Sequence, residues 1–301
     1  MDPAGACRVI FSEADGLSGL VVDRYGEWAT MQFTSAALWA HRETLIDALH
    51  THLKPKGIVL RTEKGILDEE GLEISDGPIW GEVPEGPIEI LENDLSYSVD
   101  LRTGQKTGYY LDQRDNRIRA AGYAAGKRVA DICCYSGGFS LPLLRAGATS
   151  LVGVDVSAGA LELAQINLTR NQLDDGRAQW VKADAPKWMA QAFDEGQRFE
   201  MVVLDPPRFA RSARGVNGAL KGYANWNEAA VRILEPNGIL VTHSCTGRVQ
   251  REQFIQILSE VERRTGRRIR ILEMHGQPGD HPVAPTCPES EYLKCLICLV
   301  E

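Results

Sequence analysis

The chain has 301 residues, 44% of them hydrophobic, with a formal net charge of −8; this fits one large or two ordinary globular domains and excludes a disordered or fibrous chain. No run of 18 apolar residues occurs, so no membrane span is predicted. Seven cysteines over this length, without a secretory signal, read as free thiols in a reducing cytoplasm rather than as a disulfide framework.

The charge is unevenly spread. Residues 1–100 hold 7 Lys/Arg against 19 Asp/Glu, and the remainder 26 against 22. Net acidity argues against a nucleic-acid partner, but the near-neutral to basic second part permits an RNA-facing surface there without demanding one.

Residues 1–85 read as a small α+β domain. RVIFSEADGLSGLVVDRYGEWATMQFT suggests two or three strands, with turn signals at Asp15-Gly16, Ser18-Gly19 and Tyr25-Gly26. Apolar residues at 38, 45, 46, 49 and 53 form a helical stripe over 35–53. GIVLRTE is a further strand, and the glycine- and acid-rich stretch 64–86 reads as a loop plus linker. Nothing in this part proposes catalysis.

Residues 86–301 read as the second domain. PIEILENDLSYSVDL is a hairpin turning at Asn93-Asp94, followed by the polar and aromatic segment RTGQKTGYYLDQRDNR. There Gly104 and Gly108 frame Lys106 and Thr107. Gln113, Arg114 and Arg117 fall on the first turn of a helix, where an arginine could hold a ligand carboxylate or simply face solvent.

The stretch 127–155 reads strand, turn, helix, strand. RVADICC is an apolar run containing Asp131, and YSGGF is a tight turn with Tyr135, Ser136, Gly137 and Gly138. SLPLLRAG has helical spacing and stops at Gly147, and SLVGVDVS is a second buried strand ending in Asp155. Such βαβ units bind ligands beyond the carboxyl ends of their strands. The dinucleotide fingerprint G-x-G-x-x-G is absent, so a pyrophosphate is not indicated. Asp131 beside the turn suits a cationic amino-acid end, and Asp155 suits ribose hydroxyls; S-adenosylmethionine fits both.

The later strands repeat the pattern. A helix follows Asp155 with Ser157 as N-cap, and AQWVKADAP ends in Asp184, which could meet an adenine edge, cap the next helix, or do both. FEMVVLDPPRF ends in Asp205-Pro206-Pro207, where two prolines stop the ladder and present Asp205 rigidly to an exocyclic amine of a base. Pro207, Arg208, Arg211, Arg214 and Lys221 lie on a glycine-interrupted loop that offers phosphate contacts, or is merely solvated. GILVTHSC ends in Cys245, equally readable as a nucleophile or as a small buried apolar residue. RVQREQFIQILSEVERRTG is an amphipathic helix. RRIRILEMHG and YLKCLICLVE are the last two strands, the latter antiparallel. His281, Cys287, Cys295 and Cys298 invite a zinc reading, which we reject because Cys295 and Cys298 would face opposite sides of one strand. Cys133 and Cys134 read as core residues of the first strand.

DICCYSGGFS, Asp155, NLTRN, DPPRF and THSC, with GQKTGYYLDQRDNR upstream and DHPVAPTCPESEYLK downstream, resemble the bacterial ribosomal large-subunit RNA (cytosine-5)-methyltransferases over nearly the whole chain. The resemblance implies an α/β, Rossmann-like class I methyltransferase fold with a mostly parallel seven-stranded sheet, preceded by the small α+β domain, and S-adenosylmethionine as cofactor. It implies Lys106, Thr107, Gln113, Arg114, Asp131, Tyr135, Ser136, Gly137, Asp155, Ser157, Asp184, Asp205 and Pro206 at the cofactor. Cys245 then becomes the nucleophile that attacks C6 of cytosine, with Asp205 holding the base edge. The family usually begins with a PUA-type RNA-binding domain, and this chain starts where that domain would end. Ribosomal RNA is the expected partner, without membrane or metal, in the cytoplasm; a homodimer is compatible with the reading. The rival readings are a guanine-N7 methyltransferase, which would not need Cys245, a small-molecule or protein methyltransferase, and a cofactor-binding protein without catalysis.

Overall fold

The structure, a computed structural model, describes residues 5–210 and 215–301. Backbone packing divides the chain into two compact units: the chain through Arg114 together with Pro278–Ser290, and Asp115–Gln277 together with Glu291–Glu301. Residues 86–114 and 278–290, expected in the second domain, thus pack with the first unit.

The first unit is built on a five-stranded sheet with order β1-β2-β3-β4-β5. Strands β1 (Ala6–Phe11), β2 (Leu20–Tyr25) and β3 (Trp28–Phe33) form an antiparallel meander. The predicted single helix over 35–53 is two: α1 (Ala36–Ala40) and α2 (Arg42–Leu53). His41, at φ −100° and ψ 13°, leaves helical geometry, and its N–H turns back to Leu38 O at 3.1 Å. The pair carries the chain to β4 (Gly57–Arg61), parallel to β3. Ile46 and Leu49 of α2 close a core over Leu20, Val22, Met31, Phe33, Ile58 and Leu60.

The expected loop and linker over 64–86 is corrected. It contains α3 (Lys64–Glu70) and an edge strand, β5 (Gly77–Gly81), antiparallel to β4. Gly81, at φ +65°, has Lys56 O only 2.2 Å from the position a Cβ would take. Its glycine serves close strand approach rather than looseness. The hairpin β6 (Ile88–Glu92) and β7 (Leu95–Val99) turns where predicted, through Asn93 and Asp94 at φ 52° and 61°. Two positive φ values in a two-residue loop match the right-handed strand twist.

The second unit begins with α4 (Arg114–Ala121), whose first residue is the last of the first unit. Strand and helix then alternate through β8 (Arg128–Ile132), α5 (Ser140–Arg145), β9 (Ser150–Asp155), α6 (Ala158–Arg170), β10 (Ala178–Lys182), α7 (Ala185–Asp194), β11 (Phe199–Leu204), α8 (Val216–Arg232) and β12 (Leu234–Ser244). Helix α9 (Arg251–Thr265) leads to β13 (Ile269–His275), and β14 (Lys294–Val300) follows. The sheet has seven strands in the order β10-β9-β8-β11-β12-β14-β13. β8 to β12 pair in parallel; β14 runs antiparallel to both β12 and β13.

Strand alternation sorts the apolar side chains into two layers. Ala130, Val202, Leu240 and Cys298 face Met189 of α7, Tyr223 of α8 and Phe254 of α9. Val129, Val203, Val241 and Cys295 face Ala120 of α4, Leu143 of α5 and Leu168 of α6. Cys295 and Cys298 therefore stand on opposite faces of β14. The chain winds from β8 outward to β10, then crosses back to β11. That reversal opens a crevice beyond the carboxyl ends of β8 and β11, the place where open α/β sheets bind ligands.

Candidate active site

Four acids gather at the carboxyl edge of the parallel strands. Asp131 is buried on β8; its Oδ2 accepts Ser140 Oγ–H at 2.6 Å, and its Oδ1 has no hydrogen-bond partner among the described residues. Burial, followed by the charges of Asp205 and Asp155, pushes this carboxyl up to about 7. Asp155 closes β9 and organises the glycine turn: its Oδ2 accepts the Tyr135 N–H at 3.0 Å and its Oδ1 the Ser157 N–H at 2.9 Å.

Between these acids the chain leaves β8 in a strained turn. Cys133 and Tyr135 adopt φ 65° and 49°, and Gly137 φ +81°. β8 ends at Ile132, so Cys133 is a half-buried residue of the turn, not the strand-core residue expected; Cys134 is buried. Burial and then the charges of Asp155, Asp205, Asp131 and Asp184 raise the Cys133 thiol above its ordinary range. All four strand-end acids thus converge on one turn. Ser136 is buried, its Oγ has no hydrogen-bond partner among the described residues, and its carbonyl accepts the Asn167 amide of α6 at 3.0 Å. Gly137 holds a φ that strains any residue with a side chain, and a Cβ there would also crowd Leu141 Cδ1 at 2.8 Å, so glycine suits this turn.

Ser157 caps α6 as predicted, accepting the Ala160 N–H at 3.2 Å. Asp184 caps α7, accepting the Lys187 N–H at 3.2 Å. Its cap oxygen leaves the second carboxylate oxygen for other work.

Asp205 follows β11, its N–H still donating to Ile132 O of the neighbouring strand at 3.3 Å. Pro206 is buried, and Pro207 and Arg208 are exposed. Cys245, directly after β12, is half-buried with Sγ 4.0 Å from Pro206 O, so the thiol and the Asp205-Pro206 turn share one corner of the crevice. Tyr223 of α8 reaches the same corner, bonded to Thr246 Oγ1 at 2.8 Å. Burial, then the charge of Cys245, pushes its hydroxyl up to about 12.

The expected phosphate-binding loop is corrected in part. Lys221 is an exposed residue of α8, which starts earlier than predicted because Gly218 and Gly222 fit within the helix. Arg211 and Arg214 lie outside the described residues. Lys106, Thr107, Gln113 and Arg114 belong to the first unit. There Lys106 pairs with Asp112, the Thr107 hydroxyl bonds Asp23 and Tyr25, Gln113 is buried, and Arg114 pairs with Asp280 at 3.0 Å.

One buried residue at the crevice is not legible from the pattern. Lys294 opens β14, opposite Ser244 in the register, and only 1% of it is exposed. Its ammonium donates to Thr246 O and Tyr292 O, each at 2.8 Å. A lysine just ahead of an apolar strand reads as its solvent end; its burial follows from antiparallel pairing, which carries no local signal.

An acidic cradle with a buried carboxylate oxygen and a buried hydroxyl lacking partners suits a ligand with a positively charged, hydrogen-bonding end. The family model for S-adenosylmethionine-dependent methyltransferases matches residues 78–282. The chain belongs to this family. Among relatives of this methyltransferase, the ribosomal RNA large subunit methyltransferase I of Aeromonas hydrophila is 40% identical over 96% of this chain and 73% of its own length. The protein of the same name from Tolumonas auensis is 41% identical, over 97% and 74%. SMU.776, solved in complex with SAH, superposes with a TM-score of 0.88 at 23% identity, over 99% of this chain and 76% of its own. The tRNA m1G37 methyltransferase of M. jannaschii gives 0.66 at 16% identity, over 95% and 77%. At such identities these two structures share the fold alone. The methyltransferase uses S-adenosylmethionine, and the orphaned polar atoms of Asp131 and Ser136 fit that cofactor.

Proposed function

We propose that this methyltransferase forms 5-methylcytosine in large-subunit ribosomal RNA, with Cys245 as the covalent nucleophile. The observation that carries the reading is the shared corner of Cys245 and Asp205, with Sγ 4.0 Å from the carbonyl that follows Asp205. The names of the relatives supply the substrate class. For the cofactor we propose Asp131, Tyr135, Ser136, Gly137, Asp155, Ser157, Asp184, Asp205 and Pro206, all in the second unit. Asp131 receives the cationic amino-acid end, Asp155 the ribose, and the free oxygen of Asp184 the adenine edge.

The chemistry follows from the thiol. A cytosine C5 is a poor nucleophile. Addition of the Cys245 thiolate to C6 forms an S–C6 bond and moves the ring electrons to C5. Asp205 holds the N4 amino group and stabilises a protonated N3 of the adduct. Bound in that cradle, S-adenosylmethionine would supply an electrophilic methyl group to C5, with S-adenosylhomocysteine as the leaving group. Loss of the C5 proton to a base returns the electrons to the ring and expels the thiolate, which restores Cys245. The base must reach the crevice unstacked. Arg208 and Pro207 at the exposed end of the turn, with Lys221, are the proposed RNA contacts, in a cytoplasmic enzyme.

Incubation with labelled S-adenosylmethionine and unmodified large-subunit RNA tests this. Wild type should place label in 5-methylcytosine, and Cys245→Ala should place none. Equal labelling by Cys245→Ala would overturn the thiolate mechanism and favour guanine N7.

A further inference from the structure

Lys294 stands apart from every residue used so far. It is charged, buried, and reaches the functional edge from β14, the strand that runs against the others. Antiparallel pairing explains the placement: the start of β14 meets the end of β12, with Lys294 opposite Ser244. Its two acceptors are the carbonyl of Thr246, the residue directly after Cys245, and that of Tyr292. Two of its three N–H donors are thereby used, and among the described residues no carboxylate accepts from it.

A buried ammonium held by two neutral carbonyls is under-compensated. Burial lowers Lys294 to about 8, and among its neighbours the charge of Cys245 opposes that most, followed by Glu291; Arg251 and Arg208 act against the ammonium. The same thiol acts on Tyr223 from the α8 side, together with Asp205. Among the described residues, the charged and titratable groups that these shifts bring to the corner are Asp205 after β11, Tyr223 on α8, Arg208 on the turn, Arg251 on α9, and Glu291 and Lys294 around β14.

We propose that Lys294 is a positioning residue for Cys245, whose buried ammonium fixes the backbone after β12 and favours the thiolate form of the neighbouring sulfur. The proposal rests on the reading of Cys245 as nucleophile. It supplies the activation that an ordinary thiol, with a pKa of about 8.5, needs near neutral pH. The pair exchanges no electrons: the thiol proton leaves to solvent, and the lysine keeps its own. When the sulfur is bonded to C6 its charge is gone, and the ammonium is left under-compensated once more, which favours return of the thiolate at the end of the cycle.

The test is the pH dependence of iodoacetamide alkylation at Cys245, read by mass spectrometry on the peptide that carries it, in wild type and Lys294→Met. A neighbouring opposite charge shifts an ionisable group by about one unit or more, so Lys294→Met should lower the thiolate fraction at pH 7 about tenfold. The acid limb of kcat/KM for methyl transfer should move up with it. A purely structural role would lower activity without moving either curve. Wild-type Cys245 titrating at 8.5 or above, or a Lys294→Met curve superimposed on wild type, would overturn the proposal. The wild-type curve decides alone if the variant does not fold. Methylation by Cys245→Ala would remove the nucleophile reading instead, leaving the titration of Cys245 to decide its pairing with Lys294.

Discussion

Replacing Asp131 with Asn should stabilise the cofactor-free protein, and the gain should depend on pH. Asp131 is 1% exposed, with one oxygen bonded to Ser140 and the other unpartnered. Its folded pKa of about 7 stands above an ordinary unfolded value near 3.9. A raised carboxyl binds its proton more tightly in the folded state. Its contribution is therefore fully present below about pH 3.9 and is lost as pH rises through 7. Three units at about 1.4 kcal/mol each set a ceiling of about 4 kcal/mol at pH 8, and relaxation of the crevice brings the expected value to about 2 kcal/mol. Asn keeps the shape and a hydrogen bond to Ser140 and has no charge to bury. Urea unfolding of both proteins without cofactor, at pH 5 and pH 8, measures the gap. It should be about 0.7 kcal/mol at pH 5 and about 2 kcal/mol at pH 8, both in favour of Asp131→Asn. S-adenosylmethionine should reverse the order at pH 8, because its positive end compensates the carboxylate only in wild type. An equal gap at both pH values would refute the buried-carboxylate argument; stabilisation of both proteins alike by the cofactor would place its cationic end elsewhere.

Gly153→Ala should lower stability by about 1–3 kcal/mol, read as a drop of several degrees in Tm. The new Cβ would lie 2.4 Å from Trp180 Cζ3, and that ring is fixed by its bond to Gln165 at 2.8 Å. Arg267→Ala should cost about 3 kcal/mol or more, and Arg267→Lys should not restore it: the guanidinium donates to the carbonyls of Val231, Leu234, Glu235, Val300 and Glu301, a spread no ammonium can match. Chemical denaturation of the three proteins checks this, and full recovery by lysine would refute it.

The parallel half of the fold is legible because buried strands are continuous apolar runs with punctuation at their carboxyl ends. Asp131, Asp155, Asp184 and Asp205 each mark such an end, and their convergence follows from strand direction alone. What escaped is non-local. β5 hides in a glycine- and acid-rich stretch because an edge strand needs closeness to β4 more than apolar side chains. The break at His41 has no proline or glycine to announce it. The glycines of α8 read as a loop, since helix propensity penalises them and tertiary packing overrides the penalty. Lys294 is the sharpest case: its chemistry depends on which strand β14 joins and at what register, and neither is written near residue 294.

β14 also bears on how the chain comes to be folded. It lies between β12 and β13, yet is made after both. Until β14 is made, β12 lacks its neighbour on that side and β13 lacks the strand that pairs it to the sheet, which leaves backbone donors and acceptors unpaired. The sheet cannot close, nor the Cys245 corner acquire its ammonium, until residues 294–300 have emerged. A chain interrupted after β13 would keep the four acids of the cofactor edge, lack Lys294, and leave one side of β12 and both sides of β13 open to aggregation. An enzyme assembled in this order gains its chemical competence in the same late step that covers the open side of β12 and ties β13 to the sheet.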